Sequence, residues 1–217
     1  MTKTVHNIVF DLGNVLIPVD RQRAYKKLAP FLPPDKERLL REDTPAFERL
    51  LVKPAAALES GKISFDEFQT TIKSTLGIDS NDMDFRSIYC DMFSLNEQMV
   101  GLGSELSQQY NTWLASNTSD VHYMWVLERY PEVAFYRSAA LSYELGVMKP
   151  AAEFYRKAIS YFNIDPRRSV FIDDLEDNVA AAIESGMIGI VFKEYDLLIP
   201  KLESLGIDIP QTGRNSS

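Results

Sequence analysis

The chain has 217 residues, 45% of them apolar and 25% charged, which suits one sizeable α/β domain or a core domain carrying a smaller insertion. Its formal net charge of -8 argues against a general nucleic-acid binder, because phosphate backbones select basic surfaces; phosphorylated small molecules stay open, since a metal ion can supply positive charge locally. Cys90 is the only cysteine, which excludes an intramolecular disulfide and a thiolate metal cluster, and no stretch reaches the about 18 apolar residues of a membrane span.

The N-terminal MTKTVHNIVFDLG has no long apolar run before a small-residue cleavage site, so a cytoplasmic protein is expected. Residues 7–12 (NIVFDL) read as a buried strand running into a tight loop at Gly13-Asn14. From residue 20 to about 92 the pattern turns helical, in LAPFLPPDKERLLRED, TPAFERLLV and FDEFQTTIKSTLG, with Ser64 and Glu67 spaced as a capping box. Further strand-like runs follow at 111–116 (NTWLAS), 169–173 (SVFID) and 188–192 (IGIVF), separated by helical sequence at 97–110, 150–162 and 176–186. Strands alternating with helices imply a Rossmann-like parallel sheet covered on both faces. The domain division expected is a core of residues 1–18 and 93–217 with an α-helical cap of residues 19–92 inserted after the first strand. The polar residues 211–217 (QTGRNSS) read as a frayed tail.

In open α/β sheets the ligand crevice lies outside the carboxyl ends of the strands, which would gather Asp11, Ser116-Asn117 and Asp173-Asp174 in one place. An Asp ending the first strand (FDLGNV), a Ser-Asn after a later strand (LASN), a Lys in GVMKP and an acidic pair in FIDDLEDN occur in that order. This resembles the haloacid dehalogenase-like hydrolase superfamily, in the branch whose helical cap follows the first motif, over nearly the whole chain. The resemblance implies a phosphatase in which Asp11 is the nucleophile that becomes an aspartyl-phosphate. It further implies Mg²⁺ held by Asp11, the backbone carbonyl of Gly13 and Asp174, with Asp173 in support. Ser116 and the amide of Asn117 would bind phosphate oxygens, Lys149 would balance the charge on Asp11 and the phosphate, and Asn178 would orient Lys149 or a metal-bound water.

Plainer roles exist for the same residues. Asp11 is also a strand-end turn former, Ser116-Asn117 would cap a helix beginning near Asp120, and Lys149-Pro150 is a common start for a surface helix. Asp173-Asp174 is harder to explain so, because adjacent acids repel unless a cation or hydrogen bonds satisfy them. His122, Trp113 and Trp125 read as packing residues.

Phosphatases of this superfamily usually place a second Asp, the acid/base, two residues after the nucleophile, where this chain has Gly13. A subgroup with DLGNV at this motif resembles the chain and includes a phosphatase acting on glucose 1-phosphate; it often carries an Asp and an Arg downstream, matched by Asp20 and Arg23, either as substrate-gripping residues or as the cap and surface of a helix. The expected substrate is a small phosphorylated metabolite, a sugar phosphate first, whose leaving group needs little protonation. The expected enzyme is a monomer or homodimer. Its rivals are a metal-independent 2-haloacid dehalogenase, a phosphomutase and an inactive binding protein on the same fold.

Overall fold

The computed structural model describes residues 5–80 and 82–209, so the tail expectation for 211–217 lies outside the described residues. The strands β1 (Asn7–Phe10), β2 (Asn111–Ser116), β3 (Ala139–Leu141), β4 (Ser169–Asp173) and β5 (Ile188–Val191) form one parallel sheet in the order β3-β2-β1-β4-β5. β1 and β4 are buried along their whole length, as strands covered on both faces must be. Successive residues of β1 serve opposite faces: Ile8 and Phe10 pack with Met99, Leu106 and Leu202, while Val9 joins Phe154, Tyr155 and Ala182.

The helices run α1 (Arg21–Leu28), α2 (Pro34–Glu42), α3 (Thr44–Glu59), α4 (Phe65–Leu76), α5 (Phe85–Cys90), α6 (Glu97–Leu106), α7 (Asp120–Arg129), α8 (Ser142–Leu145), α9 (Ala152–Phe162), α10 (Glu176–Glu184) and α11 (Tyr195–Ser204). The first five lie between β1 and β2 and share a core of their own around Tyr25, Phe47, Phe68 and Leu76, joined by Val121 of α7. The capping box at the start of α4 has both halves in place: Ser64 Oγ accepts from the Glu67 amide and Glu67 accepts from the Ser64 amide. The stretch 28–43 is broken at its prolines, α1 ending at Leu28 and α2 starting at Pro34, where a missing N–H costs nothing.

Two chain crossings join this helical unit to the sheet, and they are bonded to each other. The Asp20 amide donates to Met92 O at 2.7 Å and the Ser94 amide to Pro18 O at 3.2 Å, around an antiparallel bridge between Val19 and Phe93. Arg23 braces the same place, donating to Asp91 at 2.9 Å and to Phe93 O at 3.2 Å, while Lys27 pairs with Asp91 at 2.8 Å.

The chain runs from β1 to β2 and β3 on one side of the sheet and to β4 and β5 on the other. The carboxyl ends of β1, β2 and β4 therefore face one crevice at the reversal of strand order.

Candidate active site

Asp11 directly follows β1, its amide extending the ladder to Ile172 O at 2.9 Å. Its carboxylate is buried and meets the Lys149 ammonium at 2.8 Å. Burial pushes the Asp11 carboxyl up to about 6; Lys149 opposes the rise and Asp173 adds to it. Lys149 is 4% exposed, and its Nζ also bonds Asp173 at 2.6 Å and Ala115 O at 2.9 Å, so all three of its donors are engaged. Burial works against the lysine's charge, but the two carboxylates prevail and hold its pKa above the ordinary lysine value. A surface-helix role for Lys149-Pro150 is thereby excluded; α9 starts at Ala152.

Asn117 positions Lys149 from the loop after β2: its amide donates to Lys149 O at 2.9 Å and its carbonyl accepts from the Lys149 amide at 2.8 Å. Ser116 ends β2, nearly fully buried, with Oγ 3.4 Å from Asn117 O. The helix-capping role suggested for Ser116-Asn117 belongs to Ser119, which accepts from the His122 amide.

The acidic pair divides its work. Asp173 is fully buried and saturated, accepting from Lys149, from the Leu175 amide at 2.9 Å and from Asn178 Nδ2 at 3.0 and 3.1 Å. Asn178 therefore orients Asp173 and, through it, Lys149. Asp174 is only half-buried and accepts from Asn14 Nδ2 at 3.0 Å. Asn14 was read only as part of a turn. Its φ of 54° is one that asparagine tolerates, and its carbonyl accepts from the Val19 amide, so it links the first loop to Asp174.

Carboxylate oxygens of Asp11, Asp173 and Asp174 lie within 4.8 Å of one another, a group that a hard divalent cation fits. Asp11 and Asp174 line the adjoining cavity, while Asp173 is occupied by Lys149 and Asn178. Gly13 lines the same floor; a Cβ there would find its nearest neighbour, Val19 Cγ2, at 3.8 Å, so sterics do not forbid a side chain.

The cavity, about 460 Å³, lies between the sheet end and the inserted helices, within the usual range for small-molecule sites. Its walls are largely apolar and aromatic, with Arg21, Glu59 and His122 among them. Asp20 and Arg23, the residues expected either to grip substrate or to cap a helix, are not among those lining the cavity. Asp20 caps α1 by accepting from the Gln22 amide, and Arg23 turns to Asp91. Two residues advance an α-helix by about 200°, so Arg21 faces the cavity when Arg23 faces the chain crossings.

His122 was also underread. It stacks on Tyr89 with centroids 4.2 Å apart, meets Phe93 edge-on and lines the cavity, and its Nε2 has no hydrogen-bond partner among the described residues. Burial lowers its pKa to about 4, leaving the ring neutral at pH 7. Trp113 is a packing residue as read, stacked on Phe162, and Trp125 packs beside the helical core under Arg86.

The haloacid dehalogenase-like hydrolase model matches residues 5–186. The chain belongs to the haloacid dehalogenase-like hydrolases. A D-ribitol-5-phosphate phosphatase of Bacteroides thetaiotaomicron is 28% identical over 193 residues, covering 84% of this chain and 89% of its own. Flavin mononucleotide hydrolase 1 of Arabidopsis thaliana is 30% identical over 186 residues, covering 77% and 72%. Among solved structures, a family enzyme of B. thetaiotaomicron in complex with magnesium and inorganic phosphate superposes with a TM-score of 0.75 at 26% identity, over 89% of this chain and 98% of that one. The α/β architecture with helices on both faces of a five-stranded parallel sheet is that of the family.

Proposed function

We propose that the protein is a magnesium-dependent phosphatase that transfers the phosphoryl group of a small metabolite to Asp11 and then to water. The chain is a phosphatase of the haloacid dehalogenase-like family; the intermediate and the substrate are the proposed parts. The observation that carries the reading is the Lys149 ammonium held between Asp11 and Asp173 with Asp174 alongside. One carboxylate faces the cavity, a fixed cation steadies it, and a second acidic group is left over for a metal.

Mg²⁺ bound by Asp11, the Gly13 carbonyl and Asp174 would neutralise the phosphate and draw it onto the nucleophile. Asp173 supports that set through Lys149. Ser116 Oγ and the backbone amide of Asn117 donate to the non-bridging phosphate oxygens. Asp11 Oδ attacks phosphorus and the ester P–O bond breaks, leaving an aspartyl-phosphate; water then cleaves the acyl phosphate and frees Asp11. A halocarboxylate would meet three carboxylates, Asp11, Asp173 and Asp174, that share the single positive charge of Lys149, which disfavours dehalogenation.

For the organic part we favour a phosphorylated sugar or sugar alcohol. Its hydroxyls suit Arg21, Glu59 and His122, and its C–H faces suit Tyr25, Tyr89 and Phe93. The relatives named for ribitol 5-phosphate and flavin mononucleotide support a phosphomonoester of that kind. The reading extends to a cytoplasmic enzyme, monomeric or homodimeric.

The test is hydrolysis of p-nitrophenyl phosphate by the full chain with Mg²⁺, with EDTA and as Asp11→Asn. Activity should need both the metal and Asp11, and beryllium fluoride should be captured on Asp11. Turnover that survives EDTA sinks the metal role, and turnover by Asp11→Asn sinks the nucleophile.

A further inference from the structure

Gly13 leaves the reaction without the acid that phosphatases of this family usually place there, yet ribitol 5-phosphate, named for one relative, is a primary alkyl phosphate whose alkoxide leaves poorly without a proton. The titratable side chains lining the cavity are few. Asp11 and Asp174 belong to the floor, and Lys149 spends its three donors on Asp11, Asp173 and Ala115 O. On the walls, Arg21 does not give up its proton near neutral pH. Tyr25 and Tyr89 are phenols that burial pushes further from ionising, and His122 is already neutral. Glu59 remains, at the last turn of α3.

Its placement is built into the fold. The Glu59 carbonyl accepts from Ser142 Oγ at 2.5 Å, and the same hydroxyl receives the Thr118 amide at 3.0 Å, two residues beyond Ser116. The chain then turns at Gly61, φ 66°, where any Cβ would collide with the backbone carbonyl of Tyr143. This turn of the inserted helices is thus seated on the β3–α8 junction beside the phosphate-binding loop.

We propose that Glu59 takes over the role of the acid/base missing at Gly13. This rests on the aspartyl-phosphate reading. As Asp11 forms its bond to phosphorus and the ester P–O bond breaks, the Glu59 carboxyl gives its proton to the departing oxygen, releasing an alcohol. The Glu59 carboxylate then accepts a proton from the water attacking the aspartyl-phosphate, so that inorganic phosphate leaves and both carboxyl groups regain their starting states. Burial raises the Glu59 carboxyl to about 7, Arg21 opposing, which keeps both forms available near neutrality. Arg21 of α1 and Tyr89 of α5 interact with it electrostatically, and Tyr25 of α1 and His122 of α7 are the other titratable side chains on the same walls.

Glu59→Gln, close in shape, is the deciding variant, assayed with ribitol 5-phosphate and p-nitrophenyl phosphate after its melting temperature is matched to the parent. With the alkyl ester it should turn over about 100-fold or more slowly and without a burst. With the aryl ester, whose leaving group needs no proton, it should release one equivalent of nitrophenol rapidly and then stall as the aspartyl-phosphate. Adding Gly13→Asp to Glu59→Gln should restore alkyl turnover. Equal losses on both esters with no burst, or no loss on either, overturns the role of Glu59. Activity in Asp11→Asn would instead overturn the underlying mechanism.

Discussion

Asn117 grips Lys149 at two points, its side-chain amide donating to the lysine's backbone carbonyl at 2.9 Å and its side-chain carbonyl accepting the lysine's backbone amide at 2.8 Å. The loop after β2 thus sets where the ammonium stands between Asp11 and Asp173. Asn117→Ala should cost about 1–3 kcal/mol in urea unfolding, because two backbone groups lose their partner. Asn117→Asp keeps the acceptor half and should fall between. In both, kcat should drop more than KM rises, since the misplaced group is the one steadying the Asp11 carboxylate, the proposed nucleophile.

Removing the ammonium is more severe. Lys149→Met leaves Asp11 and Asp173 facing each other unpaired and should destabilise by about 3–5 kcal/mol, with activity lost. Asp173→Asn in the same chain should recover part of the stability and none of the activity. Strict additivity of the two changes in a thermal-melt cycle would show that the pair is not coupled.

Helical phase places Arg21 on the cavity wall and Arg23 on the chain crossings. Arg21→Ala should raise KM about 10-fold, the loss of roughly 1.4 kcal/mol of binding, while Arg23→Ala, whose ion pair is half exposed, should change stability by about 1 kcal/mol at most and leave KM near the parent value. The opposite ranking in steady-state kinetics would put Arg23 at the substrate.

Metal binding should appear without turnover. Mg²⁺ at 100 times its Kd should stabilise the chain by about 2.7 kcal/mol in a thermal melt, and Asp174→Asn should abolish that shift. Asn14→Ala, which frees the Asp174 carboxylate, should weaken it.

Glu59 has its folded pKa raised from 4.5 to about 7, so between those values the folded chain holds a proton that the unfolded chain releases. Stability should therefore fall as pH rises through that window, by on the order of 3 kcal/mol. Glu59→Gln should flatten the decline, its stability relative to the parent rising from pH 4.5 to pH 7. Parallel curves in metal-free unfolding experiments would contradict the buried carboxyl.

Much of this was legible because strands covered on both faces write themselves as continuous apolar runs: β1, β2, β4 and β5 all lie where such runs stand, and the polar residues at their ends meet in the crevice. β3 escaped because Ala139–Leu141 is three residues long, too short to show a period. The wall of the cavity was less readable for a different reason. Which of Arg21 and Arg23 faces inward depends on the phase of α1, fixed only when Asp20 becomes its cap. Glu59 and His122 have no local signature at all; their meaning comes from α3 seating on Ser142 and α5 stacking onto α7, contacts between residues far apart in the chain. Asn178 was placed in the right neighbourhood without its bond to Asp173, since spacing shows who is near and not whose lone pairs are already filled.

The paired crossings at Pro18–Asp20 and Met92–Ser94 hold the helical unit along one edge, and the Glu59–Ser142 contact holds it at another. Such an arrangement works like a door with its hinge on one side and its latch on the other. A swing about that hinge would part the latch and carry Glu59 away from the Ser116-Asn117 loop. With Glu59 as the proposed proton donor, its carboxyl would be in reach only behind a closed door, and an open enzyme would leave a passing phosphate ester uncleaved.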